Sequence, residues 1–409
     1  MAEQDLIYSD RSLTSMTLGF AGLPDYMLDQ FTPMEVMLGE SLHTPGLQTS
    51  IRVHSYHHNL PIKNLDKFKG VGVSIELEKL INSAFGLPTK MLVNQTVYRL
   101  SNRRLYNNNT EEFIIHACHQ TLLDDAVTLV SDFWKCSTPT DVAVEVLRSC
   151  AGARHVDSDP SSPGRGYMAE NIHPFQVVSQ QANAALYGGN DPSFVHYMTY
   201  KIDDGDGIHH FRSLKSLTQS SPVTKPFEFY ESGTTAGGFS NPFAIITHSF
   251  PCDFDLLIDL LNGVDINGAD ISTVLAFNPL VRGFSQLGAQ TLGCGIGSGP
   301  VKITLSNISS AKDQDACPDY SHLFLQKRQA RMSLIDNNRI ALRLTVPWNP
   351  VLHAGNIIRL ELKNKNDTRK YNYGTGDYLI VSMTHNIKYG GYATTTMDCV
   401  SKSVGRGVV

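Results

Sequence analysis

Short runs in which apolar and polar residues strictly alternate recur along this chain, and that period of two restricts much of it to half-buried β-strands. Residues 48–56 set Ile51, Val53 and Ser55 against Arg52, His54 and Tyr56. Similar runs follow at 72–78, 91–100 and 112–118, a spacing that suggests an antiparallel barrel or sandwich. The period returns in the last third, at 340–346 and at 358–363, where Ile358, Leu360 and Leu362 face inward. Residues 378–385 and 392–399 flank Gly390 and Gly391, a β-hairpin whose Gly-Gly turn suits the right-handed twist of strands. At 409 residues the chain is too long for one ordinary core, so two to four domains are expected. No internal repeat is visible.

Between the two strand-rich regions the pattern is mixed. Thr138, Pro139 and Asp141 read as an N-cap, a first helical position and an acid at the positive end of the dipole. Val142, Val146 and Leu147 then form an apolar stripe. Residues 157–164 are a loop by composition. A second helix is predicted from Pro174, with Phe175, Val178, Ala182, Ala185 and Leu186 on one face and an end at Gly188 and Gly189. Residues 193–200 read as a strand, 203–207 as a turn, 208–212 as the returning strand and 213–217 as a short helix. The first 30 residues carry little apolar periodicity and are expected to form an arm.

Charge narrows the function. The 39 acidic residues slightly outnumber the 34 basic ones, so the chain as a whole lacks the basic footprint of sequence-independent nucleic-acid binding or of an anionic membrane surface. The polar, acidic start has no signal-peptide pattern. No run approaches the roughly 18 apolar residues needed to cross a bilayer. Seven scattered cysteines without a C-x-x-C pair read as reduced thiols of a protein made inside a cell.

Catalytic and ligand motifs were weighed in turn. The run from Gly293 to Gly299 matches neither phosphate-binding signature and reads as a flexible loop. His116, Cys118 and His119 supply three zinc donors but no second ligand pair, so half-buried strand positions are the simpler account. His57 with His58, and His209 with His210, are adjacent and point to opposite faces of a strand. Asp203, Asp204 and Asp206 lack calcium-loop spacing and a closing glutamate, which leaves a hairpin turn. Neither a nucleophile elbow nor H-E-x-x-H occurs. No catalytic, cofactor-binding or metal-binding residue is assigned, and no enzymatic activity is expected.

Several segments, taken in order, resemble the baseplate hub proteins of contractile phage tails and the related N-terminal part of the type VI secretion spike protein VgrG. Residues 129–147, running through Trp134 and Pro139, resemble the strand, turn and helix that follow the family's first barrel. Residues 173–186, 193–197 and 210–217 resemble its helix–strand–strand–helix unit. Residues 254–263 and 325–332 resemble helices around an insertion in the second barrel. Residues 352–360, 376–387 and 392–397 resemble its strand entry and closing hairpin. The sequence departs from the family at the N-terminal arm, at 151–172 and in the Gly/Ser-rich segment 293–320.

The resemblance implies an α+β, β-rich fold: two tube-like antiparallel β-barrel domains, a mixed α/β domain and a helical insertion. The expected division is an arm at 1–29, a first barrel at 30–118, the mixed domain at 119–225, a second barrel at 226–400 interrupted around 250–330, and a tail at 401–409. It also implies a homotrimer whose six barrels match a hexameric tail tube on one face and present threefold symmetry to the central spike on the other. The implied partners are the tail tube or tube-initiator protein, the spike protein and baseplate wedge proteins. By the same implication, DNA is expected to pass through the lumen without specific binding, no membrane insertion is expected, and the expected location is the tail baseplate of a virion assembled in the host cytoplasm. The rival readings are a receptor- or glycan-binding tail module, which needs exposed aromatic platforms where this chain has only Trp134 and Trp348, a tail-associated cell-wall hydrolase, which needs a paired carboxylate or zinc site, and a tube or neck ring protein.

Overall fold

The computed structural model describes residues 14–21, 31–55, 69–79, 90–107, 110–230 apart from 163, 189–190, 203 and 225, then 245–247, 273–278, 283–287, 301–305, 341–363, 375–389 and 393–401. The alternating runs become strands. In space, β1 (Thr14–Phe20), β4 (Gly72–Lys79), β5 (Lys90–Asn107), β6 (Thr110–Cys118), β3 (Gln48–Ser55) and β2 (Phe31–Ser41) lie side by side in that order, all antiparallel.

The sheet does not stop there. β2 pairs with β19 (Gly376–Lys388), which pairs with β20 (Ala393–Val400), then β17 (Ala341–Pro347) and β13 (Ile245–Thr247). β18 (Ile357–Lys363) also joins β19 and carries β12 (Phe227–Tyr230), completing a 12-stranded sheet. The barrels expected as separate units therefore share one sheet among the described residues. The physical reason lies in the register: Val36 faces Ile387 and Leu38 faces His385, so both strands turn the same face to the core. A slip of one residue would expose those side chains.

Two apolar clusters line most of this sheet, and a third packs Ile357, Leu379 and Val381 of β18 and β19 against Val195, Tyr197, Leu214 and Leu217. The first gathers Val36, Leu38, Ile51, Ile75, Leu77, Val93 and Ile115. The second gathers Leu342, Leu344, Ile358, Leu360, Tyr378, Ile380 and Met397 around the C-terminal strands. The span expected as an arm contains β1, whose Met16, Leu18 and Phe20 lie opposite Leu77, Ile75 and Val73. Three alternating apolar residues amid Ser, Thr and Gly are too short a signal to stand out before their partner strand is known.

The mixed region has its own core of Val142, Val146, Leu147, Phe175, Val178, Phe194 and Phe211. It holds α1 (Gln120–Val127), the ribbon of β7 (Val130–Ser137) and β9 (Arg165–Ile172), α2 (Pro139–Ser149), α3 (Pro174–Ala184) and α4 (Leu214–Thr218). A three-stranded sheet in the order β10 (Phe194–Tyr200), β11 (Gly207–Ser213), β8 (His155–Ser158) completes it. Thr138 caps α2 as expected, its hydroxyl accepting from the Asp141 N–H at 3.2 Å. α3 ends at Ala184, before the predicted Gly188, because Leu186 exchanges backbone hydrogen bonds with Ser162 and is thereby drawn out of the helix.

Within 250–330 the described residues are strands: β14 (Thr273–Asn278) lies between β15 (Gly283–Leu287) and β16 (Val301–Leu305). The helices expected at 254–263 and 325–332 lie outside the described residues, as do His57, His58, Asp203, Leu362's side chain and the Gly293–Gly299 run. Cys118, Cys150 and Cys399 are free thiols, but Cys136 is disulfide-bonded, a departure from the expectation of reduced cysteines that no local spacing announces. No helix among the described residues is long and apolar enough to cross a membrane.

Candidate functional surface on the long sheet

The face of the sheet turned away from these clusters is mostly polar, with Met37 and Ile114 among its polar residues, and its residues line up in rows that continue across the β2–β19 seam. One row runs Arg52, Glu35, Lys388. Another runs Gly39, Thr384, Thr396, Thr345, and a third runs Ser41, Ser382, Asp398, Arg343. The period of two in each strand puts one row member every second residue, and the shared register does the rest.

Most of the charges in these rows are neutralised by neighbours. Arg52 forms an ion pair with Glu112 and lies 3.8 Å from Glu35, which also sits 3.7 Å from Lys388. Lys90 pairs with Glu76. Arg343 holds Asp398 through two parallel hydrogen bonds of 2.6 and 3.1 Å, and Ser382 donates to the same carboxylate at 3.0 Å. The Arg343 guanidinium is the main reason that the Asp398 carboxyl lies below its ordinary range. Burial works to raise the Glu112 carboxyl, but hydrogen bonds from Arg52, Tyr106 and His54 outweigh it and hold it down at about 2. Beside this group a depression of about 150 Å³ is lined by Glu35, Ser50, Arg52, Asn102, Arg104 and Glu112 together with the apolar Met37 and Ile114. The rest of the wall is hydroxyl-rich: the Thr345 and Thr396 side chains hydrogen-bond each other at 3.1 Å.

The residues weighed as metal donors go separate ways. His116 stands on the polar face, bonded to Ser50 at 3.2 Å and Ser101 at 2.7 Å. Cys118 is buried, and burial pushes its thiol up to about 11. His119 caps α1 and contacts Asp206 at 2.6 Å. His209 and His210 do point apart, the first to His196 and Thr121, the second to Asp157 and Thr199. Asp204 pairs with Lys201 near the tip of the β10–β11 hairpin. Among the described residues no three His, Cys, Asp or Glu side chains converge as metal ligands. Trp134 and Trp348 are both buried.

Among the described residues, two histidines are fully buried without a full charge partner. His209 lies beneath Phe175 and beside His196 and His119, and burial depresses its imidazole well below the usual range, aided by the neighbouring imidazoles. His385, bonded to Thr395 at 2.8 Å, is pushed down to about 4 by burial, although Glu40 pulls the other way. A folded pKa below the unfolded value near 6.5 means that the unfolded chain binds more protons on acidification. The contribution of these two residues is therefore expected to be complete above pH 6.5 and to fall by up to about 1.4 kcal/mol per pH unit for each histidine as the pH drops toward the folded values. Urea titrations between pH 7 and pH 5 check this, and a shallower loss of stability on acidification in His209→Gln/His385→Gln identifies their share.

Sequence reasoning missed the surface as a unit. Arg52 and His54 were already on the outward side of a predicted strand, but their partner Glu112 lies on a strand that is not sequential with theirs. The seam was equally hidden, since β2 and β19 lie at opposite ends of the chain.

No family model matches the sequence, and no curated protein matches it. Solved structures do. A tail protein from Neisseria meningitidis MC58 aligns with a TM-score of 0.55 at 10% identity, covering 96% of this chain and 97% of that one. The 43 kDa tail protein of prophage MuSo2 from Shewanella oneidensis gives 0.54 at 11% identity, covering 95% and 99%. An E. coli component of the type VI secretion system, itself structurally similar to the T4 bacteriophage tail proteins gp27 and gp5, gives 0.50 at 10% identity, covering 96% and 79%. The resemblance read from the ordered segments thus holds at the level of the fold: this chain is built, over nearly its whole length, on the β-rich fold of these phage tail proteins and their type VI secretion counterpart.

Proposed function

We propose that this chain is a structural subunit of a phage-type tail, a baseplate hub that joins the tail tube to the central spike and lines the DNA channel with the polar face of its long sheet. The observation that carries the reading is the set of rows, polar apart from Met37, that continues across the β2–β19 seam. Two apolar clusters sit on one continuous sheet, as two tube-like barrels fused side by side require. Three such chains supply six barrels, enough to match a sixfold tube while keeping threefold symmetry for the spike. A wall whose charges are largely paired presents few strong sites to a passing polyanion, so DNA meets little resistance there. The role contains no catalytic step, and the place of action is the virion baseplate.

Native mass spectrometry of the full chain, alone and with the candidate spike and tube proteins, tests this. A trimer that binds both is expected. A stable monomer that ignores both overturns the hub reading.

A further inference from the structure

Among the described residues, the pairing of cations on the polar face has two exceptions, and both are on β5. Among the described residues, Arg99 and Arg104 are exposed, and neither forms an ion pair, whereas Arg52, Lys90, Arg343 and Lys388 on the same face all do. Register explains why. Arg99 stands opposite His116, a neutral partner whose ring is bonded to Ser50 and Ser101 and whose imidazole is depressed by burial and then by Arg99 itself. Arg104 stands opposite Glu112, whose oxygens already accept from Arg52, His54 and Tyr106. That takes three of about four acceptor positions of the carboxylate.

β-Bulges flank both residues, between Val97 and Arg99 and between Ser101 and Arg104, and Asn102 takes a left-handed φ of 54° inside the second. Bulges re-aim side chains. Here they turn Tyr98 outward, 42% exposed, next to Arg99, and leave Tyr106, 57% exposed, near Arg104. The two arginines face β6 residues four apart, a separation of about 13 Å along the strand. Spaced cations interleaved with exposed aromatic rings are the elements that track a nucleic-acid backbone and stack on its bases. The slight net acidity of the whole chain conceals this local excess of positive charge.

We propose that Arg99 and Arg104, with Tyr98 beside them, form a phosphate-contacting station for nucleic acid on an otherwise charge-paired wall. The assignment rests on reading this face as the channel lining. Contact is with phosphates and is independent of sequence, so it retards or parks a strand without selecting one.

The test uses the full-length chain and fluorescence anisotropy with labelled single-stranded and duplex DNA across a salt series. Arg99→Ser/Arg104→Ser is expected to weaken binding to any sequence and to reduce the log–log salt slope by about two, one per residue. Arg343→Ser, whose arginine is already held by Asp398, is expected to leave both quantities unchanged. Unchanged DNA binding in the double variant overturns the station. So does an equal loss of binding to polyglutamate, which instead assigns the two arginines to an acidic protein partner. All three arginines are exposed, and thermal melts verify that the variants fold. Native mass separates this proposal from the hub reading: a ring-forming chain that ignores DNA overturns only the station, and a monomer whose DNA binding depends on the two arginines overturns only the hub.

Discussion

Glu40→Leu is expected to destabilise the protein by about 3–5 kcal/mol, the range for removing one partner of a buried ion pair. Glu40 is fully buried on the core face of β2 and accepts three hydrogen bonds from two distant segments: the Tyr200 N–H at 2.9 Å, the Ala354 N–H at 2.8 Å and His353 Nδ1 at 3.0 Å. Leucine would strand all three donors in an apolar site. Burial opposes ionisation of Glu40, but His353 and the Tyr200 N–H outweigh it and hold the carboxyl below its ordinary value, while the same carboxylate raises the His353 imidazole against burial. Each member thus favours the charged form of the other. The histidine's contribution is full below pH 6.5 and is lost as the pH rises through its raised folded value. The stability gap between wild type and Glu40→Gln should accordingly shrink on the alkaline side. Amide exchange gives the local readout: protection at Tyr200 and Ala354 falls together in Glu40→Leu, whereas protection in β4 and β5 falls less. A loss under about 1 kcal/mol would show that water or rearrangement satisfies the donors and that Glu40 does not tie these segments.

Trp348→Ala is expected to cost a further about 3–5 kcal/mol, the range for deleting a large buried aromatic. Trp348 follows β17 in the C-terminal region, yet with Ile387 it packs into the cluster built from Val36, Ile51, Ile75 and Val93. Its backbone N–H, which alanine keeps, donates to the Ala393 carbonyl at 2.9 Å and pins the segment to the β19–β20 hairpin. The cavity left by alanine opens between strands from both ends of the chain. Amide exchange in β3 and β4 should therefore accelerate, although the substitution is remote from them in sequence. If protection falls only in β17–β20, the N-terminal core is complete without Trp348 and the two halves of the sheet are energetically separate.

These two residues also mark the limit of what the sequence reveals. Glu40 lies in no run that the sequence marks as a strand, and Trp348 is one of two tryptophans whose neighbours the sequence does not name. Their importance depends on which distant segment reaches them. Gly355 is a similar case: its φ of +88° and the 2.5 Å that a Cβ would leave to the Tyr197 hydroxyl make glycine the fitting residue there, and only the packing of β10 against that turn imposes it.

Local pattern alone determined β3–β6, the β10–β11 hairpin, β17–β20, the capped start of α2 and the buried side of β3 and β18, because the periods of 2 and 3.6 are properties of a few adjacent residues. The order of those segments also determined the resemblance to tail proteins. Only the tertiary structure decided that β2 and β19 zip two expected barrels into one sheet, that Arg52 and Glu112 neutralise each other, and that Arg99 and Arg104 remain unpaired. Those are matters of register between strands far apart in the chain, and a period of two is the same whichever strand lies alongside.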